Sequence, residues 1–143
     1  MSVTLVVGVG GDSGGDEAAR FAARVASLTS GTVVLVFGYE ASALGPRGGA
    51  LEEEIEAVGT DITDAVKADL AERYPDVAVE VELVRDRPVE SLISVAQQRD
   101  AAAIVVGHGG QGPMRGALLG SITYEVVHRS PVPVVVVPDP EDD

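Results

Sequence analysis

The chain has 143 residues, 45% of them hydrophobic, and no cysteine. That length suits one domain with a core that needs no staples, and the missing thiols exclude disulfides and thiolate metal sites. A formal net charge of −13 repels nucleic-acid backbones and anionic membrane surfaces, so neither is expected as a partner.

The chain opens on MSVTLVVGV, with no basic residue ahead of a short apolar run, and no later run reaches the length of a membrane span. A soluble, cytoplasmic protein is expected. Val3 to Val9 reads as a strand buried on both faces, and it ends in the glycine-rich turn GVGGDSGG. A helix starts near Asp16, with Ala18, Phe21, Ala22, Val25 and Ala26 on one stripe and Ser13 or Gly14 as its cap. Thr32 to Tyr39 forms the second strand. A loop from Glu40 to Ala50, broken by Pro46 and Gly48-Gly49, precedes a long amphipathic helix to Tyr74. Its stripe is Leu51, Ile55, Val58, Ile62, Val66 and Leu70, and Gly59 weakens it slightly. Val77 to Val84 alternates valine with Glu80 and Glu82, as a strand near a sheet edge does.

Pro88 then opens a helix with Val89, Leu92, Ile93 and Ala96 on its inner stripe. Ala101 to Val106 is the fourth strand, Ser121 to Arg129 the fourth helix and Val132 to Val137 the fifth strand; the tail DPEDD is charged. Strict alternation of strands with helix-length crossovers predicts a doubly wound parallel sheet with helices on both faces. Ligands of such sheets collect outside the carboxyl ends of the strands, where the strand order switches.

The stretch IVVGHGGQGPMRGALLGSITYEVVHRSPVPVVVV carries the chemistry. Its glycines let the backbone approach a ligand closely, and Ser121, Ile122 and Thr123 fall in a first helical turn, whose free amides and dipole favour an anion. A phosphate suits both. Between Ala101 and Pro138 the charges are Arg115 and Arg129 against Glu125, so this stretch is +1 while the remainder of the chain carries −14. The single lysine, Lys67, is far from these glycines, which excludes a Walker-type phosphate loop.

Gly107-x-x-Gly110, nine residues, then Gly120-Ser121, flanked by IVVG, ALLGSIT and SPVPVVVV, resembles the ATP-binding signature of the universal stress protein family. The likeness runs over residues 1–138, with 139–143 as an acidic tail. It implies a five-stranded sheet in the order 3-2-1-4-5, Rossmann-like and similar to the adenine nucleotide alpha hydrolases. It also implies ATP as ligand: amides around Gly109, Gly110 and Gly120, with the hydroxyls of Ser121 and Thr123 and the amide of Ile122, hold phosphates and ribose, and His108 lies within the same loop. Relatives that bind ATP carry an aspartate straight after the first strand. Here the run is Val9-Gly10-Gly11-Asp12, so the base falls to the backbone of Val9 and Gly10 or to Asp12, two residues late. Asp12 is also the nearest carboxylate for a magnesium ion accompanying ATP. Gly38 stands about where the family places an apolar residue against the base.

Other readings of the same residues are weaker. Gly11-Asp12-Ser13-Gly14-Gly15 matches the G-x-S-x-G elbow of hydrolases, but only His108 and His128 are available downstream, and the chain is short for that fold. GVGGDSG has Ser13 where a dinucleotide fingerprint needs its third glycine, and two Phe and three Tyr are too few to flank a flavin. His128, near a helix C-terminus, reads as a dipole partner. Glu52, Glu53 and Glu54 read as a solvated helix start. The last strand is a long apolar edge, and the resemblance implies a homodimer paired through Val132 to Val137. The reading that results is a universal stress protein that senses or regulates by binding ATP or a related adenine nucleotide, with no catalytic residue. The alternative is an interaction module of the same fold that binds no nucleotide.

Overall fold

The computed structural model describes residues 2–40, 48–109 and 119–138. Gly110, the loop around Pro46 and the charged tail lie outside the described residues. The elements alternate as β1 (Thr4–Gly8), α1 (Ser13–Thr29), β2 (Thr32–Gly38), α2 (Gly48–Arg73), β3 (Ala78–Val84), α3 (Pro88–Gln98), β4 (Ala103–Gly107), α4 (Ser121–Arg129) and β5 (Val134–Val137). All five strands run parallel in the order β3-β2-β1-β4-β5, as the resemblance implied. The final strand starts two residues later than its valines suggest, after Pro131 and Pro133, whose missing N–H groups cannot feed a ladder.

Right-handed crossovers that travel in opposite directions from β1 put their helices on opposite faces. The inner strands β1, β2 and β4 are therefore covered on both sides, which is why they are apolar without alternation. Val7, Val33, Leu35 and Val105 pack with α1 and α2, while Val6, Val34, Ile104 and Val106 pack with α3 and α4. On α1 the inner face is built from Ala18, Ala19, Ala22, Ala23 and Ala26, all buried, whereas Phe21 is 38% exposed. Small side chains let that helix lie close to the sheet, and the bulky Phe21 turns outward. The helix also begins earlier than expected. Its cap is Asp12, whose Oδ1 accepts from the Gly15 amide at 2.8 Å, and not Ser13 or Gly14.

The stripe of α2 differs in its first half. Leu51 and Val58 are exposed, while Gly59 and Thr63 are buried. The reason is Phe37 of β2: a Cβ on Gly59 would lie 2.5 Å from its ring, so the helix turns its mid-helix glycine onto that ring. Thr63 tolerates burial because its hydroxyl donates to the Gly59 carbonyl at 2.9 Å. On the opposite face of β3, Glu80 and Glu82 both meet the Arg99 guanidinium at 2.8 Å.

Candidate functional site

At the switch point, β1 and β4 lie side by side and each ends in a glycine turn. The two turns touch. A Cβ on Gly107 would sit 2.6 Å from the Gly14 carbonyl oxygen, and one on Gly120 would sit 2.6 Å from that of Gly109. Side chains at either place would force the turns apart. Gly109 also has φ +83°, a conformation that L side chains rarely adopt. The loop is closed by two further bonds: the Gly120 amide donates to the His108 carbonyl at 3.1 Å, and the Thr123 hydroxyl donates to the Gly107 carbonyl at 2.8 Å.

These turns frame a cleft of about 600 Å³, the size of a small-molecule site. Its polar lining is backbone: Gly14, Gly15, Gly107, Gly109 and Gly120, with the exposed Ser121 and the first turn of α4. Gly120 caps that helix with no side-chain bond, which leaves the amides of Ser121, Ile122 and Thr123 as donors for an anion. Val36, Leu92, Val106 and Ile122 add apolar side chains to the lining. Asp12 is the one charged side chain on the wall among the described residues. Its Oδ1 accepts from the Gly15 amide, so the carboxylate is oriented by its capping bond, and its second oxygen has no partner among the described residues.

Of the residues expected from sequence, Val9, Gly10, Asp12, Gly38, Gly107, Gly109, Gly120, Ser121, Ile122 and Thr123 share this cleft. A side chain built at Gly10 meets nothing within 4 Å. Two expected residues, Gly11 and His108, stand apart. Gly11, at φ +87°, lines a separate hollow between α1 and α2 with Asp16, Arg20, Asp61 and Asp69. In that hollow, burial pushes the Asp16 carboxyl above its ordinary pKa, with Arg20 pulling it down and Asp12 and Asp69 adding to the rise. His108 is not on the cleft wall, and its Nδ1 is buried with no hydrogen-bond partner among the described residues. Gly110 falls outside the described residues. His128 Nδ1 lies 2.9 Å from the Tyr124 carbonyl, in the last turn of α4, where a histidine suits the helix dipole.

Sequence reading missed Gly8, Gly14, Gly15, Val36, Phe37, Pro88, Leu92 and Val106 on the wall. Val36 and Val106 looked like plain core valines; their place at the carboxyl ends of inner strands was the available signal. Pro88 and Leu92 carried none, because nothing local says that the start of α3 reaches the cleft. Among the described residues no group of three or more His, Cys, Asp or Glu is placed to hold a metal ion, and no helix is long and apolar enough to cross a membrane.

Comparison with known proteins bears on this cleft. Residues 1–138 match the model of the universal stress protein family. A universal stress protein of Mycobacterium tuberculosis is 45% identical over 65 residues, which cover 46% of this chain and 21% of that relative, so the match spans about a fifth of its length. Among solved structures, a universal stress protein in complex with cAMP is 25% identical with a TM-score of 0.74, covering 96% of this chain and 98% of the other. One from Archaeoglobus fulgidus in complex with dAMP has 23% identity and a TM-score of 0.70, covering 95% and 97%; at that identity the likeness is one of fold.

Proposed function

The chain belongs to the universal stress protein family, and from that premise we propose that it binds an adenine nucleotide, ATP or a relative with fewer phosphates, as a sensor or regulator of the stress response. The observation that carries this reading is the cleft at the β1/β4 switch point, where two touching glycine turns, the first-turn amides of α4 and the Ser121 hydroxyl share one wall with the apolar side chains of Val36, Leu92, Val106 and Ile122. Phosphates fit the amides and the hydroxyl, and a base fits the apolar side chains. The cAMP and dAMP complexes of similar proteins support the class of ligand. In this arrangement Ser121 donates to phosphate directly. Thr123 serves through the loop, since its hydroxyl proton is held by Gly107. If a magnesium ion accompanies the phosphates, the second oxygen of Asp12 is the carboxylate available to it.

The proposal extends to three properties. The protein acts without a catalytic residue, so any ATP hydrolysis is slow and incidental. It works in the cytoplasm and engages neither nucleic acid nor membrane. It pairs with a second copy through the edge strand β5, whose four valines are each half-buried in the single chain. The test of the ligand is mass spectrometry of nucleotide released from fresh protein, then calorimetric titration of ATP into wild type and Gly120→Val. Released adenine nucleotide, and heat that vanishes in the variant, are expected. No released nucleotide and no heat up to millimolar ATP would overturn the reading and leave a module that signals by protein contact alone.

A further inference from the structure

Gly38 ends β2 where a side chain could have walled the cleft, and the structure shows what took that space. A Cβ on Gly38 would lie 2.5 Å from Ser91 Oγ, 2.9 Å from Ser91 Cβ and 3.0 Å from Pro88 Cα. The start of α3 occupies it. Ser91 is fully buried and has no room to retreat, and its hydroxyl bonds the carbonyls of Arg87 at 2.8 Å and Asp86 at 3.2 Å. Beside it, Leu92 lies against Gly8 of β1, where a Cβ would be 3.2 Å from its Cδ1. The helix is therefore pressed onto the ends of two strands at two glycines. It is also tied to α4, because Glu90 meets Arg129 at 2.8 Å. Pro88, exposed at the first position of α3, and Ile122, 44% exposed in the first turn of α4, line the same cleft. Both also line the adjoining hollow of about 420 Å³ that Gly38 shares.

We propose that Pro88 and Ile122, and not a side chain at position 38 of β2, flank the base of the bound nucleotide, with Gly38 as the positioning residue that admits α3 to the cleft. This rests on the nucleotide reading above. An apolar group at the mouth of each helix gives a flat heterocycle two walls, over a floor of Val36, Leu92 and Val106. It also assigns a sign to a substitution that intuition would give the other way. A valine at position 38 adds apolar surface at the end of β2, and if the base lay against that strand it would tighten binding. With α3 in the way, the valine drives Pro88 off the cleft.

The experiment is calorimetric titration of ATP into wild type, Gly38→Val, Pro88→Ser and Ile122→Ser, with intermolecular nuclear Overhauser effects recorded from the adenine ring protons of bound ATP. Gly38→Val should weaken binding about tenfold, and Pro88→Ser and Ile122→Ser each about three- to tenfold, the size of one lost apolar contact. Overhauser effects should reach the Pro88 ring and the Ile122 methyls. Should Gly38→Val fail to fold by circular dichroism, the exposed Pro88→Ser and the Overhauser effects decide. Tighter binding in Gly38→Val, or unchanged affinity in Pro88→Ser with no Overhauser effect to its ring in wild type, overturns this inference while leaving the nucleotide reading intact. Absence of ATP binding to wild type overturns both.

Discussion

Ser121 and Thr123 stand two residues apart in one helical turn and carry the same functional group, yet burial separates their roles. Thr123 is 4% exposed and gives its proton to the Gly107 carbonyl, so it holds the β4 turn in shape. Ser121 is exposed on the cleft wall and makes no such bond among the described residues. Removing a buried donor strands its acceptor, which costs about 1–3 kcal/mol, whereas an exposed hydroxyl away from such a bond moves stability by about 0.5 kcal/mol or less. Thr123→Val is therefore expected to lower the midpoint of urea unfolding clearly. Ser121→Ala should leave that midpoint in place and weaken ATP about three- to tenfold in calorimetry. If Thr123→Val unfolds at the wild-type midpoint, its hydroxyl bond is not what closes the loop. The sequence shows both hydroxyls in the first turn but not which one faces inward, because that depends on how α4 is rolled against β4.

The same gap between pattern and roll governs whole elements. Gly59 in α2 reads as a weak spot in a helix, and by propensity alone Gly59→Ala should stabilise by about 1 kcal/mol. The structure reverses the sign. Gly59 is buried against Phe37, where a Cβ would approach the ring carbons to 2.5 and 2.8 Å, and overpacking of that kind costs about 1–3 kcal/mol. Phe37 has little freedom to yield. Its ring stacks on Tyr39 at 6.4 Å, and the Tyr39 hydroxyl donates to Glu56 of the same helix at 2.5 Å. Gly59→Ala is thus expected to unfold at lower urea than wild type, and the double variant Gly59→Ala/Phe37→Leu to recover part of the loss; a stabilised single variant would contradict this packing. The elements themselves were legible, since each run of valine and each helical stripe marks one strand or helix, and the glycine turns mark where the cleft lies. What was not legible is contact at a distance. Nothing near Val58 says that Gly59 is the buried neighbour, and nothing near Pro88 says that it lies beside Gly38, far off in sequence. The N-cap was expected at Ser13 or Gly14, one or two residues late, for a local reason: Asp12, Ser13 and Gly14 can all cap, and only the backbone of the turn chooses among them.

At the scale of the molecule, two features oppose each other at β5. Its outer edge offers unpaired backbone groups beside apolar side chains, which favours pairing with a second copy. The net charge of −13 makes any two copies repel. The Debye length shrinks from about 30 Å at 0.01 M salt to about 8 Å at 0.15 M, so salt removes the repulsion and leaves the edge pairing almost untouched. Dimerisation should accordingly strengthen as salt rises, the reverse of an association held by opposite charges. The edge can be tested separately. The Ile104 amide donates to the Pro133 carbonyl at 2.9 Å, so the odd-numbered residues of β5 turn their backbone groups toward β4, and Val134 and Val136 turn theirs outward. Val136→Pro then removes an outward N–H without taking a bond from the β4 ladder, and an edge position accepts proline. Sedimentation velocity at about 0.01 and 0.15 M salt is expected to show the wild type shifting toward dimer in the higher salt. Val136→Pro should stay monomeric in both, with an unchanged circular dichroism spectrum. A variant that dimerises like the wild type would move the interface away from β5, and a wild type that dissociates as salt rises would mean that charge pairs, not the valine edge, hold the two copies together.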